Sequence, residues 1–380
     1  MLVRKRVLLL IACVTGWAAC AHAEPTAQVV AKGLEHPWAL AFLPDGAFLV
    51  TERGGTMRVV QADGSIGPPV QGVPEVAAAG QGGLLDLVLD PAFADNRRLY
   101  FCYSQYSADR QTNSSALAVA TLSPDAKRLD NVRTIFVQKP KVKSTLHFGC
   151  RIAIAPRDPA SATDMLLLTL GERYQYRDDA QKLDNHHGKV IRVGTDGSIP
   201  RDNPFVTTTG ALPEIWSYGH RNPQGAAFAP DGTLWMHEHG PMGGDEINLP
   251  KAGANYGWPL VSFGRNYNFT SVGDGKTQSD GIEPPMHYWT PSIAPSGMAF
   301  VTSKRYGSQW VGNLLVGSLK FTHLARLQLK EPFKGPVLRE TRLLPDLGER
   351  VRDVRQGPDG LIYLLTDHPN GRLIRLVPAP

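Results

Sequence analysis

The chain has 380 residues, 42% hydrophobic and 20% charged, with a formal net charge of +5. That length is enough to bury a core without outside help, and the charge, with no acidic tail and no basic block, excludes nucleic acid as the expected partner. Four cysteines in so long a chain exclude a disulfide-stapled scaffold.

The first predicted element is an export signal over residues 1–23. Arg4, Lys5 and Arg6 precede an apolar run from Val7 to Trp17, and Ala21-His22-Ala23 is a small-x-small cleavage pattern before Glu24. The run is too short to span a bilayer. Cys20 stands where a lipid-anchor cysteine would, but Trp17 occupies the place such sites give to Leu. The expectation is a soluble protein, periplasmic or secreted, with one domain over residues 24–380. Removal of the signal takes away three basic residues and leaves 357 residues at a net charge of +2. It also removes Cys13 and Cys20, so only Cys102 and Cys150 remain; their pairing is open, because sequence does not establish proximity.

Beyond residue 24 the 38 glycines and 30 prolines are spread evenly and punctuate short apolar runs, the pattern of many short strands and turns. Predicted strands include 48–51, 98–103, 165–169, 233–236 and 361–365. The segment Gly33 to Gly46 matches Gly219 to Gly232 at seven of fourteen positions, including the Pro-Asp-Gly turn. A third copy ends at Gly357-Pro-Asp-Gly360, and weaker copies start near Gly80, Leu146 and Pro291. Six starts at intervals of roughly 45 to 75 residues predict an all-β, six-bladed β-propeller. A β-sandwich with frequent tight turns is the alternative. Residues 264–285 read as a long polar surface loop beside the funnel.

Blade-starting loops converge on a propeller's central channel, so polar residues there are the candidates for chemistry. His147, in Thr145-Leu-His-Phe-Gly-Cys-Arg151, reads either as a general base near neutral pH or as a hydrogen-bonded structural histidine. Arg221 and Asn222 open the fourth repeat, Lys320 lies in the fifth, and Arg350 and Arg352 open the sixth on one side of an extended segment. Four converging cations suit a small polyanion; the alternative is pairing with acids such as Glu349 and Asp353. The stretch His237 to Glu246 is dense in Gly and acid. His237 and His239 lack a third ligand at zinc spacing, whereas the Gly240 and Pro241 carbonyls and the Glu246 carboxylate suit calcium, or else form a capped turn. Asp184-Asn-His-His-Gly-Lys189 reads as a turn before a strand, with no catalytic role.

Taken together, Gly80-Gln-Gly-Gly-Leu-Leu85, His147-Phe-Gly149, Tyr218-Gly-His-Arg-Asn-Pro-Gln224, Glu238-His-Gly-Pro241, Gly244-Asp-Glu-Ile-Asn248, Asn255-Tyr-Gly-Trp-Pro259 and Arg350-Val-Arg352 resemble the soluble pyrroloquinoline-quinone-dependent glucose and aldose sugar dehydrogenases. The resemblance runs from about Gly33 to the C-terminus and implies a six-bladed propeller. It implies that His147 takes the proton of the anomeric hydroxyl while the C1 hydride passes to the quinone. It implies cofactor contacts at Gln81, Arg221, Asn222, Tyr267, Lys320, Thr322, Arg350 and Arg352, which suits a quinone with three carboxylates. It implies a calcium on the Gly240 and Pro241 carbonyls and a second, structural calcium at Glu246 and the Tyr256 carbonyl. Leu146 stands where the glucose-oxidising members carry Asp, and their long insertions are missing. The chain therefore looks closer to the shorter aldose sugar dehydrogenase branch, with a monomer expected. Two other readings compete: a non-catalytic, calcium-stabilised propeller that binds a sugar or protein, and a calcium-dependent lactone hydrolase.

Overall fold

Each of the six repeat starts leads, within a few residues, into the innermost strand of a four-stranded antiparallel sheet. These strands are Pro37–Phe42, Leu84–Leu89, Gly149–Ile154, Pro223–Phe228, Pro295–Phe300 and Val351–Gln356. Neighbouring innermost strands touch around a ring, and the sixth touches the first. The structure, a computed structural model, describes residues 24–156 and 164–379; the export signal expected over residues 1–23 lies outside them.

The six sheets are the blades of a β-propeller. Five are built from consecutive strands. The sixth takes its outermost strand, Thr26–Leu34, from the other end of the chain, where it pairs antiparallel with Gly371–Val377. This closes the ring with hydrogen bonds between the two ends of the described chain. Innermost strands are buried on both faces because they pack against neighbouring blades; Pro37–Phe42 is buried at every position but the last. Outer strands are wetter: Leu129–Val137 has four consecutive exposed residues, and Lys334–Leu343 carries Lys, Arg and Glu along its edge, which blunts edge-to-edge pairing.

The Pro-Asp-Gly turns behave as the repeat implies. Gly46, Gly232 and Gly360 take φ of 86°, 84° and 79°, the left-handed conformation that a glycine adopts without a steric cost. The long segment between Asp245–Asn248 and His287–Trp289 in the fourth blade contains the polar loop expected over residues 264–285. Cys102 and Cys150 form a disulfide with a Cα–Cα distance of 5.6 Å, joining the second strand of blade two to the innermost strand of blade three.

A buried ion network ties the innermost strands together. Arg151 bonds Asp86 and Asp353 at 3.0 Å each, and Arg355 bonds the same two acids. Arg151 also donates to the Gln224 carbonyl and lies 4.4 Å from the Trp38 ring, while Asp353 accepts the Leu40 amide. Five of the six blades thus meet at one cluster, built on two arginines that share two aspartates.

Candidate active site

The base loop, residues 147–150, is held in an unusual backbone shape. His147, Gly149 and Cys150 have φ of 50°, 68° and 77°; non-glycine residues enter this region only where surroundings over-determine them. Here they do. Gln81 Oε1 accepts the His147 amide at 2.8 Å, Asn222 Oδ1 accepts the Gly149 amide at 3.2 Å, and Ser115 Oγ donates to the Phe148 carbonyl at 2.8 Å. The disulfide holds Cys150. A Cβ at Gly171 would sit 2.1 Å from the His147 carbonyl oxygen, so only glycine lets the chain pass there.

His147 is 5% exposed, and its Nδ1 lies 2.6 Å from Glu172 Oε2. Glu172 is itself buried. Burial pushes the imidazole below its ordinary range; the Glu172 charge opposes this, and Arg221 and Arg173 reinforce it. Burial raises the Glu172 carboxyl, but His147 and Arg221 more than offset that, so it ends below its ordinary value. The pair at neutral pH is therefore a carboxylate beside a neutral imidazole. The carboxylate can only accept, so Nδ1 carries the proton and Nε2 the lone pair. This is the arrangement of a general base with an orienting acid. Glu172 was not singled out in the sequence; it lies 25 residues beyond His147, just after the strand Met165–Leu170.

Beside the base loop the funnel opens into a cavity of about 470 Å³. Gln81, Asn222, Arg350 and Arg352 line it, with Arg53 and Phe148. Its only lining carboxylate is Asp367, set against the three arginines. Asp367 accepts from Arg352 at 2.8 Å and approaches Arg350 at 3.4 Å. The acids named in the sequence as possible partners pair elsewhere: Glu349 with Arg372, and Asp353 within the buried network. Gln81 and Asn222 use their carbonyl oxygens on the base loop, and among the described residues no acceptor takes their NH2 groups. The lining thus offers surplus positive charge and free donors.

The other expected cofactor contacts are spread more widely. Arg221 is buried and donates to the His239 and Gly240 carbonyls at 3.1 and 2.8 Å. Lys320 and Thr322 follow Leu319, which lines the cavity, but do not line it themselves. Tyr267 is 60% exposed on the polar loop and lies outside the lining. That loop runs beside Gly240 and Pro241, where the Met242 amide donates to the Arg265 carbonyl.

Gly240, Glu246 and Tyr256 line one small pocket, together with Glu238. Pro241 is buried next to it. Burial, then Glu238 and Asp245, pushes the Glu246 carboxyl up to about 8; buried carboxylates lacking a countercharge behave in this way. Asn248 Oδ1 is buried there without a partner. Among the described residues no three His, Cys, Asp or Glu side chains gather as a metal site, so an ion here would rest on carbonyl oxygens and two glutamates, a donor set suited to calcium. His239 donates through Nε2 to the Pro295 carbonyl, while both His237 ring nitrogens are buried without partners.

Comparison with known proteins decides the family. The model of the family described as Glucose / Sorbosone dehydrogenase matches residues 34–375. This chain belongs to that family. It is 44% identical over 365 residues to the aldose sugar dehydrogenase YliI of Escherichia coli K12, covering 95% of each chain. It is 30% identical to quinoprotein glucose dehydrogenase B of Acinetobacter calcoaceticus, covering 90% of this chain and 85% of the relative. The PQQ-bound form of an aldose sugar dehydrogenase from Streptomyces coelicolor superposes with a TM-score of 0.75 at 28% identity, over 93% of this chain and 98% of that one. Membership of this dehydrogenase family, with 44% identity to an aldose sugar dehydrogenase over 95% of each chain, makes the chain an enzyme, so the reading as a non-catalytic propeller falls away. No helix among the described residues is long and apolar enough to cross a membrane.

Proposed function

We propose that this sugar dehydrogenase oxidises the anomeric C1 hydroxyl of aldoses to lactones, using pyrroloquinoline quinone and calcium. The observation that carries the proposal is the His147–Glu172 pair beside a cavity lined by three arginines and one aspartate. Arg350, Arg352 and Arg53 would meet the carboxylates of the quinone, and the free NH2 groups of Gln81 and Asn222 would donate to it. Gly240 and Pro241 would hold one calcium through their carbonyls, with Glu246 and Tyr256 at the second. Bound in this cavity, the quinone supplies a hydride acceptor and calcium a Lewis acid.

The chain's own residues do the rest. His147 Nε2 accepts the C1 hydroxyl proton as the C1 hydrogen departs with its electron pair, leaving a C1 carbonyl. Glu172 holds the ring in the tautomer this needs and stabilises the imidazolium that forms. Burial keeps His147 neutral, ready to act as a base at neutral pH. The physiological place of action is periplasmic or extracellular, on the strength of the export signal.

The test is steady-state oxidation of an aldose panel with an artificial dye acceptor, with the quinone and calcium supplied together, singly or not at all. Activity only with both supports the proposal. Absence of activity on every aldose with both present contradicts it, and lactone hydrolysis without quinone would support a hydrolase instead. The surplus of arginine over carboxylate in the cavity speaks against that hydrolase.

A further inference from the structure

Two residues beyond Glu172 the chain holds an aromatic ring in a costly conformation. Arg173 and Tyr174 have φ of 68° and 67°, so two large non-glycine side chains stand consecutively in the left-handed region. Such strain persists only where the surroundings impose it, and it gathers at functional sites. The imposition is visible. Arg173 is wholly buried, donates to Asn113 Oδ1 at 2.6 Å and to the Ser144 carbonyl at 2.7 Å, and lies 3.5 Å from the centre of the Phe148 ring. The Tyr174 amide donates to Glu172 Oε2 at 2.7 Å, the same oxygen that meets His147 Nδ1. One carboxylate oxygen therefore sets the position of both the base and the tyrosine.

Burial does not explain this arrangement. Tyr174 is 42% exposed, and among the described residues its hydroxyl has no hydrogen-bond partner. Its ring stands perpendicular to the imidazole, with centroids 5.4 Å apart. The fold thus places a half-bare aromatic face at a fixed distance from the group that takes the substrate's proton.

We infer that Tyr174 is a sugar platform: the C–H face of the aldopyranose packs on its ring while the anomeric hydroxyl meets His147. An aromatic face is electron-rich and the C–H edge of a pyranose is weakly positive, so the contact is attractive and directional. The inference rests on the proposed sugar oxidation and adds a substrate-binding residue to it.

The test compares Tyr174→Phe, Tyr174→Ala and Tyr174→Gly with wild type, loaded with quinone and calcium, on the hexose that wild type oxidises fastest. The Ala and Gly variants should raise KM roughly 3- to 10-fold, the scale of one aromatic contact, with the acid limb of the pH profile unmoved. Phe, which keeps the ring, should stay near wild type. Gly should also raise Tm, because it relieves the left-handed strain. An unchanged KM in Ala and Gly overturns the inference, as does a loss confined to kcat with a shifted acid limb, which would make Tyr174 a support for His147 alone. Hexose binding to the quinone-free proteins, read by NMR saturation transfer, gives a second measure without turnover: weaker transfer in Ala and Gly than in wild type supports the platform, and equal transfer overturns it. Failure of the proposed function itself would show separately, as wild type that binds hexose and oxidises none.

Discussion

At the scale of single residues, the proposed chemistry rests on one imidazole and what surrounds it. His147→Ala should lower kcat by roughly 100- to 10,000-fold, the range of a general base, while leaving the cavity able to bind its anion. Burial holds the His147 pKa below 6.5, so the acid limb of kcat/KM should lie below pH 6.5, with activity lost as pH falls through it. Glu172 is the group that raises this pKa against burial. Glu172→Gln should therefore move the limb to lower pH while lowering the rate through lost orientation; a limb moved upward would contradict the pairing. His147 and Gln81 were legible because each sits in a motif at a repeat start. Glu172 and Asp367 were not, since nothing in their immediate neighbours marks them and their partners lie 25 and 15 residues away.

At the scale of elements, the predicted strands 48–51, 98–103 and 165–169 fall within Phe48–Glu52, Arg98–Tyr106 and Met165–Leu170. Apolar runs between Gly and Pro punctuation carry that signal well. Cross-blade contacts carry none, which is why the Cys102–Cys150 pairing stayed open. The bond spans a sequence separation of 48, and replacing both cysteines with Ala should cost about 2–5 kcal/mol of stability, measured as the shift in urea midpoint. The glutamate pocket makes a second prediction. Without metal the folded protein holds the Glu246 proton up to about pH 8, whereas an unfolded chain releases it near the ordinary value of 4.5. The folded state thus binds more protons in this interval, and metal-free protein should lose stability as pH rises through it. Calcium needs the ionised carboxylate, so binding at pH 7 should release protons. Calorimetry in buffers of different ionisation enthalpy measures this, and Glu246→Gln should abolish the release.

At the scale of the whole molecule, repeat spacing made the six blades legible, because each blade begins with the same small-residue turn. The closure was not legible: Thr26–Leu34 lies almost wholly ahead of the first repeat, which starts at Gly33, and its partner Gly371–Val377 lies at the opposite end of the sequence. Nor was the ion network, whose ion pairs between blades span 65 to 269 residues. Breaking a buried charge cluster strands its partners, so Arg151→Ala should destabilise the fold by roughly 3–5 kcal/mol. The loss should appear as a lower Tm for the entire ring rather than local melting of one blade. The ring matters to function because it brings Gln81, Phe148, Asn222 and Arg350 from four different repeats to one cavity, with His147 adjoining Phe148.

The most direct test of this account is a titration of metal-free protein lacking residues 1–23 with pyrroloquinoline quinone, with and without calcium. The quinone absorbance is followed first alone and then after aldose is added, in wild type and in His147→Ala. The account predicts calcium-dependent binding by both proteins, with sugar bleaching the quinone rapidly in wild type and only slowly in the variant. Failure of wild type to bind, or equal bleaching in the two proteins, would contradict it.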